Sequence, residues 1–123
     1  MLCLDTNIII DLFRGKLSLK NSQEEYAITP IIACELYKGA YPEVRKHEAA
    51  QIDELLSYTT FLEFNAEACK IFGELYAELC KKGKQTSDAD LMIASICKSH
   101  DVTLVTSNKK DFENIPGLKL LAV

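Results

Sequence analysis

No stretch of this sequence approaches the roughly 20 consecutive apolar residues needed to cross a bilayer. Its start runs from Met1 into a strand-like segment, without the basic region and long apolar segment of an export signal. Membrane insertion and secretion are therefore not expected, and the chain is read as cytoplasmic. The sequence also lacks any CxxC pairing. Its five cysteines, Cys3, Cys34, Cys69, Cys80 and Cys97, are scattered among apolar neighbours, which argues against zinc or redox chemistry and for small hydrophobes in a reducing compartment. There are only two histidines, His47 and His100, too separated for a zinc site. Any metal here must then be an oxygen-liganded one, magnesium or manganese. Positive charge is scarce as well: a net charge of −4 argues against a broad basic surface for nucleic acid. It is found locally, in Arg14 and Lys16, in Lys81, Lys82 and Lys84, and in Lys109 and Lys110. Each group taken singly reads first as a solvated rim.

What is present is a chain of 123 residues, 48% apolar and 26% charged, the size and composition of one compact domain over residues 1–123. Leu2–Leu4 is too short for a helix and reads as a strand, followed by the polar triplet Asp5-Thr6-Asn7 and a helix over Ile8–Phe13 that Gly15 stops. Tyr26–Thr29 reads as a second strand, and Pro30 opens a helix over Ile31–Tyr41. A charged, periodic segment from Glu43 to Tyr58 predicts a further helix, and Thr59–Phe64 a strand. Asn65 caps a long helix over Ala66–Lys82, with Cys69, Phe72, Tyr76 and Leu79 at helical spacing, that ends before Gly83. Ser87 caps another to about Ser99; Val102–Thr106 and, after Pro116-Gly117, Leu118–Val123 complete the strands. Short apolar strands alternating with amphipathic helices, without hairpin signals, predict a three-layer α/β/α sandwich around a mostly parallel sheet. Ligands in such folds gather beyond the carboxyl ends of the strands. That puts Asp5 and the segment after Thr106 at one rim.

Several acids fit a structural role poorly. Asp5 directly follows an apolar strand; taken alone, it or Asn7 reads first as a cap for the helix at Ile8, ahead of catalysis. Glu35 falls between Ile32 and Leu36 on a stripe where a packed residue is expected, so it is either partnered by a cation or displaced to the stripe's edge. Asp90 heads the face of Ile93, Ala94 and Cys97 at a helix N-terminus, where the dipole tolerates negative charge. Asp88 shares that turn but projects elsewhere. Ser107, Asn108 and Asp111 add oxygen groups after Thr106. Three converging carboxylates would repel by about 4 kcal/mol per pair at ~4 Å with an effective dielectric near ~20, a penalty that a bound cation removes.

The segments LDTNIIIDLF, ACELYKGA around Glu35, SDADLMIASICKSH around Asp90 and TLVTSNKKDFENIPGLKL together resemble the PIN-domain ribonucleases, specifically VapC-type toxins of prokaryotic toxin–antitoxin pairs. They occur in family order across nearly the whole chain. The resemblance implies a Mg²⁺- or Mn²⁺-dependent endoribonuclease in which Asp5, Glu35 and Asp90 hold metal. It implies Thr6, Asn7 and Thr106 as orienting groups. Many relatives have Asp where this chain has Asn108, others an acid at the position of Asp111, so the fourth acid falls to Asp111 with Asn108 in support. An RNA substrate, a cognate antitoxin and a homodimer are implied as partners. Three alternatives remain open on the sequence: a catalytically degenerate PIN-like domain that binds RNA or protein, a metal-free ribonuclease using His47 and His100 that leaves cyclic phosphate ends, and a phosphoacceptor signalling domain.

Overall fold

The computed structural model describes residues 1–19, 23–42 and 46–123. The first expected strand and helix are present as β1 (Leu2–Leu4) and α1 (Thr6–Phe13). The chain continues through β2 (Tyr26–Ile28) and α2 (Pro30–Ala40), the latter with Thr29 as N-cap, its Oγ1 accepting the Ile32 N–H at 3.1 Å, and Pro at the first helical position. Next come α3 (Lys46–Ser57) and β3 (Thr60–Phe61); the start of the helix expected from Glu43, through Arg45, lies outside the described residues. Then follow α4 (Ala66–Lys81), α5 (Asp88–Ser99), β4 (Thr103–Thr106), α6 (Lys109–Phe112) and β5 (Leu120–Ala122).

All four strand pairings are parallel and the sheet order is β3-β2-β1-β4-β5. The chain leaves β1 toward β2 and later returns to pair β4 on β1's other side. Parallel strands require crossovers, and these follow a right-handed path, so the helices divide between two faces: α1, α2 and α3 contact one another in series, and α5 packs on both α4 and α6. The fold is a three-layer α/β/α sandwich, as expected. Its core, including Cys3, Ile9, Ile28, Ile32, Ile93, Ile96 and Leu104, is sealed from solvent between these layers. In addition α2 touches α5, which brings the helices of Glu35 and Asp90 together.

Three expectations are corrected. Cys3 and Cys97 are buried, but Cys34, Cys69 and Cys80 are exposed. On α4 the face turned inward is Ala68, Phe72, Leu75 and Leu79, with Cys69 and Tyr76 outside, because a 68-72-75-79 repeat keeps one stripe toward α5 where 69-72-76-79 straddles it. The strand expected over Thr59–Phe64 pairs only at Thr60–Phe61, both exposed. It is a short sheet edge, which limits unpaired backbone.

Candidate active site

Between the carboxyl ends of the parallel strands β1 and β4 the strand order reverses, β2 lying on one side of β1 and β4 on the other, the place where open α/β sheets leave a crevice for ligands. Asp5 stands there, the first residue beyond β1, and is only 6% exposed. Its backbone N–H extends the ladder to Val105 O at 2.9 Å, and its carbonyl accepts from Ile8 and Ile9, opening α1. Asp5 is thus the N-cap, so α1 begins at Thr6 rather than Ile8, and Asn7 is an exposed residue within the helix, not its cap.

Capping does not exhaust Asp5. Oδ1 accepts the Thr6 N–H at 2.9 Å, while Oδ2 accepts the hydroxyl of fully buried Thr106 at 2.7 Å. Thr106 Oγ1 in turn accepts the Asn108 N–H at 3.0 Å. On the other side Thr6 donates its hydroxyl to Glu35 Oε1 at 2.9 Å. A continuous hydrogen-bonded arc therefore runs from the segment after β4, through Asp5 and Thr6, to α2. Both Asp5 oxygens are thus fixed by hydrogen bonds from neighbouring groups, and a carboxylate oxygen so engaged still has a second lone pair.

Glu35 is exposed, between buried Ile32 and Leu36. It lies at the edge of its stripe beside Arg14 and Glu48, where they line a small hollow with Leu36 and Gly39, so no buried counter-charge is needed. Asp90 is half-buried in the first turn of α5, its N–H donating to Ser87 Oγ at 3.2 Å. Burial pushes its carboxyl above the ordinary value; Ser87 pulls the other way, and the charges of Asp111, Asp5 and Glu35 push it up further. Asp111 is exposed on α6, in a wide hollow with Ser107, Asn108, Lys109, Lys110 and Glu113. Asn108 precedes α6 but makes no side-chain cap.

The acids expected from the sequence thus share one electrostatic neighbourhood. They do not form a closed cage: among the described residues, no three Asp, Glu, His or Cys side chains stand close enough to hold a metal between them. Asp88 is exposed on another side of α5, in a separate cleft. Of the histidines, His47 is exposed on α3 and His100 ends α5 with Nε2 2.8 Å from Glu63 O; they do not form an acid–base pair. The contact of Ser87 with Asp90 was read from the sequence only as a helix cap. The spacing of a Ser three residues before an acid, the capping-box interval, is the signal that points to it.

The PIN domain family profile matches residues 2–118. The chain belongs to the PIN-domain family. This PIN domain is 34% identical over 125 residues to Ribonuclease VapC2 of Rickettsia felis, an alignment covering 95% of this chain and 93% of the relative. It is 30% identical over 122 residues to the tRNA(fMet)-specific endonuclease VapC of Shigella flexneri, covering 94% and 92%. The structure of VapBC2 from Rickettsia felis bound to a promoter DNA fragment contains a chain that superposes on this PIN domain with a TM-score of 0.85 at 32% identity, over 99% of this chain and 98% of that one.

Proposed function

We propose that this PIN domain is a divalent-metal-dependent endoribonuclease, the toxin of a toxin–antitoxin pair, with Asp5, Glu35, Asp90 and Asp111 carrying its chemistry. One observation carries the reading: Asp5, nearly buried at the crevice where this topology takes ligands, is held on both oxygens by Thr6 and Thr106, and the Thr6 hydroxyl links it to Glu35; the raised pKa of Asp90 is consistent with these acids lying near one another. The relatives' names, ribonuclease and tRNA(fMet)-specific endonuclease, support RNA as the substrate.

The donors fit a hard cation. They are carboxylate oxygens without His or Cys, the ligand set of magnesium or manganese rather than zinc. Magnesium commonly keeps several waters and takes one or two protein carboxylates, substrate phosphate completing its shell; a rim of neighbouring acids without a cage suits that habit. Asp5, Glu35 and Asp90 would hold the ion, in part through its waters, and when bound it would supply a water of lowered pKa and neutralise charge on the phosphoryl oxygens. The protein's part is orientation. Thr106 and the Thr6 N–H fix Asp5, and the Thr6 hydroxyl steers Glu35. Lys109 and Lys110, exposed beside Asp111, are placed to balance phosphate charge as RNA enters. In-line attack by water leaves 5′-phosphate and 3′-hydroxyl ends.

A cognate antitoxin is part of the proposal, its basic tail meeting the acidic rim and an apolar helix packing on the protein, as are a homodimer and a cytoplasmic location. An open apolar hollow of about 310 Å³, lined by residues such as Leu12, Leu17, Leu19, Tyr26 and Leu121, supports a protein partner. Among the described residues no helix is long and apolar enough to cross a membrane.

The deciding experiment incubates purified protein with structured RNAs and Mg²⁺ or Mn²⁺, with chelator and Asp90→Asn controls, and sequences the ends. Cleavage is expected to stop with chelator, return with metal, and slow by about a hundredfold or more in Asp90→Asn, at or beyond the loss from mutating a group that merely orients a ligand. Cleavage indifferent to both controls, or cyclic phosphate ends, would overturn the mechanism. Binding of RNA by the wild type without cutting would favour the degenerate alternative.

A further inference from the structure

A second cleft, of about 470 Å³, opens between the C-terminal half of α4, the loop after Gly83 and the start of α5, lined by Tyr76, Lys84, Gln85, Thr86, Ser87 and Asp88. None of these residues belongs to the hydrogen-bonded arc at Asp5. We infer that this cleft receives one base of single-stranded RNA beside the cleavage site, an inference that takes its choice of ligand from the ribonuclease reading above.

Three observations converge on a nucleotide. Tyr76 is 52% exposed, and its ring is backed by Phe72 in a stacked pair with centroids 6.3 Å apart and planes 18° from parallel. The neighbouring ring orients Tyr76, and the exposed half of its surface can accept a base, the sequence-tolerant contact of single-strand binders. Second, Lys84 stands in the wall beside the exposed Lys81 and Lys82. Lys82 is paired with Glu78 at 3.2 Å, whereas Lys84 has no ion-pair partner among the described residues, which leaves it available to a phosphate. Third, Gln85, Thr86 and Asp88 provide polar edges. The Asp88 carboxylate only accepts hydrogen bonds, so it favours a base with an exocyclic amine, such as cytosine, over uracil.

The cleft is physically joined to the acidic rim. Ser87 lines it, and the same Ser87 Oγ accepts the Asp90 N–H. Asp88 and Asp90 are two positions apart on one helical turn, so they face opposite sides of it. An RNA strand crossing the N-terminus of α5, a helix about 10–12 Å wide, reaches the Asp90 side within a few nucleotides of the base in the cleft.

The test titrates ¹⁵N-labelled protein, in chelator to prevent cleavage, with short oligocytidine and oligouridine, and follows amide shifts. Shifts are expected at Tyr76 and over residues 84–91, with oligocytidine binding more tightly. Tyr76→Ala should weaken binding about tenfold, within the range of base–aromatic stacking, while Tyr76→Phe retains it. Lys84→Ala should flatten the salt dependence by roughly one phosphate contact, and Asp88→Asn should erase the cytidine preference. Absence of shifts in the cleft at millimolar RNA, or wild-type affinity in both Tyr76→Ala and Lys84→Ala, overturns the inference and leaves the cleft to another class of partner. Failure of the nuclease reading looks different: wild type with metal cuts no RNA while the cleft still shifts. Cleavage with an unchanged KM in Tyr76→Ala and no shift in the cleft rejects the cleft alone.

Discussion

Thr106 gives its hydroxyl proton to Asp5 Oδ2 and takes the Asn108 amide on its oxygen, so one buried side chain is satisfied in both directions. Replacing it by isosteric valine leaves a nearly buried carboxylate oxygen and an amide without this partner. Thr106→Val is expected to destabilise the fold by about 1–3 kcal/mol in urea unfolding and to lower RNA cleavage, with Thr106→Ser retaining most of both. Asp90 bears the opposite kind of cost. Its folded pKa lies above the ordinary 3.8, so what it contributes to stability is present below that value and lost as pH rises through the folded pKa. In metal-free buffer at neutral pH, Asp90→Asn should therefore unfold at higher urea than wild type, and the gap should close as pH falls below about 4. A lower midpoint for the variant would show that Asp90 is not electrostatically strained. Asp5 and Asp90 were legible because an acid directly after an apolar strand, or heading an apolar helix face, is chemically conspicuous. The Thr6 bridge to Glu35 was not, since nothing in a Thr's neighbours reveals which way its hydroxyl turns.

Among the elements, α2 and α3 are clasped by the Tyr37 hydroxyl, which donates to Asp53 Oδ1. That hydrogen bond to a carboxylate is the first cause, with burial and the Asp53 charge behind it, that pushes the phenol from 10.0 up to about 12. A raised folded pKa means the clasp is fully present below the unfolded value and disappears as pH rises through about 12. The stability advantage of wild type over Tyr37→Phe is thus expected to be flat to about pH 10 and to shrink above it, measured by urea unfolding at a series of pH values. Elements with local chemistry were readable in advance: Pro30, Asn65 and Ser87 mark helix starts because their ring or side chains act on the adjacent backbone, whereas Thr29, expected to end the strand, is the cap of α2. Those held by long-range pairing were not. β3 shrinks to its paired residues, and α6, a single turn over Lys109–Phe112, is too short for any periodicity; it is pinned by buried Phe112 rather than by a pattern.

At the scale of the molecule, a net charge of −4 sets up long-range repulsion of RNA that local lysines and, on the proposed mechanism, bound cations would have to offset. Affinity for single-stranded RNA should then be modest, and the slope of log affinity against log salt should lie near −2 to −3.5, about 0.7 per phosphate for roughly three to five contacts. A much steeper slope would point to a broad basic surface, against which the net charge of −4 argues. The three-layer sandwich follows from alternating short strands and helices, whereas the meeting of Asp5 with Thr106 depends on a strand order that periodicity does not encode. Those two residues lie 101 positions apart. A ribosome delivers Asp5, Glu35 and Asp90 well before the hydroxyl that aims the first of them. A nascent or prematurely released chain ending short of Thr106 would carry Asp5 without the hydroxyl that aims it and without the end of β4, which pairs with β1, so on the proposed mechanism unfinished copies would not cut RNA.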